Sequence, residues 1–256
     1  RKICLIDNSI LYVGSLNIAQ EHLPSSSGGD NWRDLGIKLS NTKFNKLTEA
    51  LEHCWEHQSI KEVLRKAFKR VGKDPVIRLN NTRHRRRILY KQLLRNIHHA
   101  KHRVWITNPY FVPDDYLIRK LREAAKKNVD VRILLPQKSD TLLPIPWAAA
   151  CCYERLLQAG VKIYEYIPNI LHAKSFIIDN WAMIGSSNLD FLSLIHNLEI
   201  DIRLSHQKTI DQASHYFLDD LKKSEQIIYK QLPKHKNRHW FKRFFGRIML
   251  FLRYWI

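Results

Sequence analysis

Residues 171–190, LHAKSFIIDNWAMIGSSNLD, set His172, Lys174 and Asp179 into an apolar run and follow them with Gly185, Ser186 and Asn188. A partial copy, RKICLIDNSILYVGSLNIA, fills residues 1–19 and supplies Lys2, Asp7, Gly14, Ser15 and Asn17. Lysine and aspartate are five positions apart in both copies. Side chains two apart on a strand point the same way, so His172 and Lys174 project together. Asp179 has the opposite parity, which suits a residue that braces a turn. Gly185 ends the following strand, where the missing Cβ is expected to let the backbone approach a ligand. Two copies of one polar set predict an active site built from two similar halves.

The set has a chemical logic. One imidazole, one fixed cation and two neutral donors suit a phosphate diester. Lysine neutralises the oxygens, Asn and Ser bind them, and histidine attacks phosphorus or protonates the leaving oxygen. A second likeness lies downstream: Asp34-Leu-Gly-Ile-Lys-Leu-Ser aligns with Glu199-Ile-Asp-Ile-Arg-Leu-Ser. Each half thus supplies a carboxylate at the start of a strand, expected to orient an imidazole as the acid of a triad does. No metal or other cofactor is expected, because two lysines replace a divalent cation and the scattered acids offer no cluster for Mg²⁺. An isolated H-x-K triplet carries little information, whereas the whole string H-x-K-x4-D-x5-G-S-x-N, largely repeated, carries a great deal.

Composition sets the frame. The chain has 256 residues, 45% of them hydrophobic, with 8 glycines and 9 prolines, which excludes a disordered chain. Its formal charge of +19 calls for an anionic partner, whether nucleic acid, anionic lipid or a phosphorylated substrate. Cys4, Cys54, Cys151 and Cys152 form no C-x-x-C pair, and neither a disulfide framework nor a zinc site is expected.

Strand–helix alternation predicts an α/β fold with a parallel or mixed sheet flanked by helices. Strands are expected at 3–6, 10–13, 35–39, 104–106, 129–135, 161–166 and 198–204, besides the motif strands. Helices are expected over 44–58, 117–128, 147–159 and about 207–231. Residues 61–103 are strongly basic, with 15 Lys or Arg against Glu62 and Asp74, and are expected to form a solvated helix face plus a linker. A lobe junction is expected near Val71–Pro75, dividing the chain into 1–70 and 71–232. Residues 233–256, PKHKNRHWFKRFFGRIMLFLRYWI, place Phe241, Phe244, Phe245, Ile248, Leu252 and Trp255 at helical spacing among basic residues. That pattern predicts a helix lying in a membrane interface, since the uninterrupted apolar run is too short to span one.

These residues resemble the phospholipase D superfamily, whose hallmark is a duplicated H-x-K-x4-D motif followed by G-S-x-N. The stretches NWRDLGIKLS, NPYFVPDDYLIRKLREAAKKNVDVRILLP, LLQAGVKIYEY and SSNLDFLSLIHNLEIDIRL are similar to bacterial cardiolipin synthases. The resemblance implies two phospholipase D-like lobes, the first truncated ahead of its histidine, and a ping-pong phosphatidyl transfer through a phosphohistidine. With phosphatidylglycerol as donor and acceptor the product would be cardiolipin. Phosphatidylethanolamine or a smaller alcohol fits the same phosphate site, and either histidine could be the nucleophile.

Carried over by position, the resemblance makes His172 one catalytic histidine and Asp179 and Asp7 the motif aspartates. It assigns phosphate binding to Lys2, Lys174, Asn17 and Asn188, helped by Ser15 and Ser186. Glu199 and Asp34 become the orienting acids. It implies an anionic phospholipid substrate and a peripheral position on the cytoplasmic face of the bacterial inner membrane. The competing readings are a superfamily nuclease, disfavoured by the hydrophobic tail, and a non-catalytic lipid-binding protein with an incomplete site.

Overall fold

The computed structural model describes residues 2–40, 43–52, 76–80, 82–138, 140, 145–190, 193 and 196–229. Two sheets organise them. Strands β1 (Ile3–Ile6), β2 (Ile10–Gly14) and β3 (Gly36–Leu39) form a small antiparallel sheet in that order. The larger sheet has eight strands: β4 (Ile77–Asn80), β5 (Arg103–Thr107), β6 (Asp130–Pro136), β7 (Lys162–Tyr166), β8 (Ser175–Ile178), β9 (Trp181–Gly185), β10 (Glu199–Leu204) and β11 (Ser224–Ile227). Their spatial order is β11-β7-β6-β5-β8-β9-β10-β4. Only β5–β6 and β6–β7 are parallel, so the sheet is mixed, as expected.

The helices are α1 (Asn45–Glu52), α2 (Arg83–His99), α3 (Asp115–Lys126), α4 (Ile145–Leu157) and α5 (Gln207–Lys222). Alternation along β5 explains the layering. Val104 and Ile106 point into a core with Leu93 and Ile97 of α2, Leu117 and Leu121 of α3 and Leu156 of α4. Trp105 points the other way and stacks on Phe217 of α5, ring centroids 5.1 Å apart. Both faces of the sheet are covered, so β8 is buried along its whole length. Each large apolar side chain so buried contributes about 1.5–3 kcal/mol. Asp114 caps α3 by accepting from the Leu117 amide at 2.8 Å, and Asn128, at φ 63°, follows its C-terminus. Gly160, at φ 90°, lies just past α4, where a glycine readily takes the left-handed conformation that ends a helix.

A third cluster joins the sheets. Leu11 and Val13 of β2, Phe44, and Leu47 of α1 pack against Ile200 and Ile202 of β10. This seam holds the small sheet across the end of the large one.

Three expectations need correction or fall outside the described residues. The helix over about 207–231 ends at Lys222, and Ser224–Ile227 becomes an edge strand antiparallel to β7. Ser224 Oγ takes the Asp220 carbonyl at 2.6 Å, competing with helical continuation, and Ile227 pairs with Ile163. The basic run is partly structural: Ile77–Asn80 is a strand of the large sheet, and Arg78 and Arg86 are buried. Arg86 donates to the carbonyls of Asn80 (3.0 Å) and Asn197 (3.2 Å) rather than facing solvent. The Val71–Pro75 junction, residues 53–58 of the first expected helix and the 233–256 tail lie outside the described residues.

Candidate active site

The two motif copies adopt the same local structure, and their side chains explain why. In each, a β-hairpin turns on the motif aspartate in the left-handed region, Asp7 at φ 48° and Asp179 at φ 49°. Asp179 accepts three backbone N–H groups, from Lys101 (2.8 Å), His102 (3.0 Å) and Arg103 (2.9 Å). Burial works against its ionisation, but these amides outweigh it and hold its pKa below the usual carboxylate value. Asp179 lies past the end of β8 that is remote from His172, so it pins the hairpin to the loop before β5 and does not meet the reacting groups. This is the turn-bracing place that its strand parity suits. The expected result for Asp179→Ala is a stability loss of about 2 kcal/mol, read as a lower denaturant midpoint, with turnover per folded molecule little changed.

The glycines also play a different part from the one expected. A Cβ on Gly14 would meet the Leu35 carbonyl at 2.6 Å, and one on Gly185 would meet Asp201 Oδ1 at 2.2 Å and the Ile200 carbonyl at 2.4 Å. These glycines let the next strand come close, not a ligand. The following serines then behave alike. Ser15 donates to Asp34 and Ser186 donates to Glu199, while their amides bond the Leu35 (3.1 Å) and Ile200 (2.9 Å) carbonyls. Both hydroxyls are committed to carboxylates, so Ser15 and Ser186 hold the acids rather than the phosphate. Glu199 also accepts from Ser193 Oγ at 3.2 Å.

Asp34 acts across the halves. Asp34, from the first copy, reaches His172 of the second, with Oδ2 3.3 Å from Nδ1. Its loop is clamped in place: the Arg33 carbonyl accepts from the His172 (2.8 Å) and Ala173 (3.0 Å) amides. The Arg33 guanidinium meanwhile grips buried Asp220 of α5 at 2.7 Å and donates to the Asp34 carbonyl at 2.7 Å. Lys174, 1% exposed, places Nζ 2.9 Å from His172 Nε2 and 2.7 Å from the His172 carbonyl. An ammonium at Nε2 requires a lone pair there, so the proton sits on Nδ1, facing Asp34.

Electrostatics tune these groups. Burial, the largest influence, lowers the His172 pKa; Lys174 and Lys2 add to this, and Asp34 opposes it. Burial and the Lys2 charge pull Lys174 from 10.5 to about 7, against Asp34, Glu199 and Asp140. Lys2 is lowered mainly by burial and feels Asp34 and Glu199 as well, which places it in the same electrostatic cluster. Burial pushes Asp34 up, but its bonds with His172 and Ser15 and the charge of Lys174 leave it below the ordinary value. Asn188 is half-buried beside Ser187, and Asn17 is exposed beyond Ser15.

Several residues escaped sequence reading. Asp201 accepts from Ser187 Oγ (2.6 Å), the Ser187 amide (3.2 Å) and Asn80 Nδ2 (2.6 Å), fixing the G-S-S-N turn. Burial raises its pKa to about 6. Tyr110 bonds Asp140 and lies edge-on to His172, centroids 6.3 Å apart. His22 and Trp32 also flank His172. The only sequence signal for Asp201 was its place two residues after Glu199 in a doubled strand; His22 and Tyr110 gave none.

The family described as "Cardiolipin synthase, PLD-like domain" matches residues 93–221. A cardiolipin synthase of Halalkalibacterium halodurans is 32% identical over 251 residues, covering 95% of this chain and 49% of that protein. Cardiolipin synthase A of Buchnera aphidicola is 33% identical over 219 residues, covering 81% and 45%. The chain thus spans about half the length of the curated relatives it matches. The crystal structure of Haemophilus influenzae phosphatidylserine synthase superposes with a TM-score of 0.65 over 96% of this chain and 66% of that one. At 10% identity that likeness concerns the fold alone. The matched segment takes in about half of the chain and carries His172, Lys174, Ser186 and Asn188, which flank β8 and β9, and Glu199, which opens β10, so the chain belongs to the PLD-like domain family of the cardiolipin synthases.

Proposed function

We propose that the protein is a phosphatidyltransferase that makes cardiolipin from phosphatidylglycerol, with the chain contributing parts of two phospholipase D-like lobes, 1–70 and 71–232. The observation that carries this reading is the Asp34–His172–Lys174 alignment. His172 is the nucleophile, because its lowered pKa keeps the ring neutral near pH 7 and its Nε2 holds the lone pair. Nε2 attacks the phosphorus of the first phosphatidylglycerol, the bond to the headgroup oxygen breaks, and glycerol leaves with a proton. That proton comes from the second imidazole, which the repeat expects two positions ahead of Lys2. The same imidazole then takes the proton of a hydroxyl on a second phosphatidylglycerol, whose oxygen attacks phosphorus and frees His172.

Asp34 stabilises the charge on the ring, while Lys174 and Lys2 neutralise the nonbridging oxygens, with Asn188 and Asn17 donating to them. The substrate is an anionic phospholipid and the site works at the cytoplasmic face of the inner membrane, the 233–256 tail lying in the interface. No described helix is long and apolar enough to cross a membrane. A nuclease would display its basic run to backbone phosphates, and the DNA arm of the test below decides that reading.

The test offers the full-length protein vesicles of phosphatidylglycerol and, separately, single-stranded and duplex DNA. Cardiolipin and free glycerol in equal amounts, with DNA intact, are expected. DNA cleavage without lipid transfer would overturn the proposal.

A further inference from the structure

His22 has no part in the transfer just described, yet it lies inside the site. Its side chain is 4% exposed. Nδ1 is 2.6 Å from Asp34 Oδ2, but neither ring nitrogen makes an aligned hydrogen bond and both are shut off from water. The same carboxylate oxygen is 3.3 Å from His172 Nδ1. Trp32 packs against both imidazoles, with centroids 4.9 Å from His22 and 5.8 Å from His172. The result is two nitrogens and one oxygen converging on a single point. One ligand atom from each residue lies within 4.8 Å of the other two, and no other such grouping of three occurs among the described residues.

A buried imidazole that comes so near a carboxylate without aligning to it is poorly served by a proton alone. A cation seated between the groups would satisfy both. Tetrahedral zinc with bonds of about 2.0–2.1 Å needs ligand atoms about 3.3 Å apart; the Asp34–His172 pair already has that spacing, while the Asp34–His22 pair, at 2.6 Å, must open slightly. Two imidazoles and one carboxylate form a ligand set for a borderline ion such as Zn²⁺, not for Mg²⁺, which demands an oxygen shell. A fourth position would remain for water or a substrate oxygen. Lys2 and Lys174 repel a cation here, while Asp34 and Glu199 attract it.

We propose that His22, Asp34 and His172 form a binding site for a zinc-class divalent ion, and that its occupation switches the enzyme off. The ion displaces the proton from His172 Nδ1 and takes the Asp34 oxygen that orients the ring. The metal is thus an inhibitor of the transfer and not its cofactor. Its binding does not depend on which lipid or alcohol the site uses.

The experiment titrates Zn²⁺ into the full-length protein by calorimetry, and Co²⁺ while following its visible absorption, with His22→Gln, Asp34→Asn and His215→Gln in parallel. His215 is exposed and pairs with Asp219, so it serves as a control. The expected result is that His22→Gln and Asp34→Asn lose one bound equivalent, or bind it at least tenfold more weakly, while His215→Gln matches the parent. Excess Mg²⁺ should not displace the Co²⁺ signal. Superimposable titrations for the parent and the folded His22→Gln variant would overturn the proposal, as would displacement by Mg²⁺. If His22→Gln unfolds, Asp34→Asn, which keeps both imidazoles, decides by the same criterion.

Discussion

His172→Ala is expected to stop phosphatidyl transfer, lowering turnover by a factor on the order of 10⁴ or more, as removal of a covalent nucleophile does elsewhere. The size of the effect follows from how little else in the site can replace it. Lys174, whose Nζ lies against His172 Nε2 and its carbonyl, supplies charge to the phosphoryl oxygens rather than a second nucleophile. Asp34 is bonded to Ser15 and faces the ring, not the substrate. The fold should survive, because Asp34 keeps Ser15 and the neighbouring His22 when the ring is removed. Two measurements check the claim: cardiolipin formation from phosphatidylglycerol, and retention of labelled phosphatidyl on the His172→Ala protein after a rapid denaturant quench at neutral to mildly alkaline pH, which spares the acid-labile P–N bond. Loss of transfer with label still attached would make His172 the acid and another group the nucleophile.

The second large effect has opposite signs for activity and stability. Lys174→Met is expected to reduce transfer by about 10²–10³-fold, because a fixed charge on the transferring phosphoryl group is lost. At the same time the variant should be more stable by on the order of 1–2 kcal/mol at neutral pH. The reason lies in the pKa. Lys174 titrates at about 7 in the fold against 10.5 for an ordinary lysine, so the fold disfavours its charge. Between those values the unfolded chain binds more protons than the folded one, and stability of the parent rises with pH across the window. The advantage of Lys174→Met is therefore largest below about pH 7 and shrinks towards about pH 10. Asp201, raised to about 6, titrates below this window and does not confuse it. Denaturant midpoints for both proteins at a mildly acidic and an alkaline pH measure the difference, and a gap that widens with pH would contradict the account.

Much of this site could be read from residue order because its chemistry is local. His172 and Lys174 sit two apart, and the aspartate closes the same hairpin, so spacing and strand parity located them. The mixed sheet followed from strand–helix alternation in the same way. What failed was whatever depends on distant partners. Parity could not show that Gly185 faces Asp201, because that contact belongs to strand pairing. Periodicity could not stop α5 at Lys222, since the edge strand after it is stabilised by β7, about 60 residues earlier. The pairing of Asp34 with His172 rather than with its own half needed the two sheets to be docked, and the basic run hid two buried arginines whose partners are backbone carbonyls and a glutamine.

The apolar seam between the sheets has a consequence for mutational tolerance. Leu11, Val13, Ile200 and Ile202 join the sheet that carries β3, which Asp34 precedes, to the sheet that carries His172's hairpin, so we expect their packing to bear on how Asp34 meets the ring. An error of about 1 Å in such an approach can cost 10²-fold in rate. Cavity-forming changes at these four residues are thus changes of aim as well as losses of cohesion. Their signature would be a drop in turnover at temperatures where the protein is still folded, with substrate binding nearly untouched. Apolar positions between the polar motif residues thus share in the catalytic tolerance of the protein.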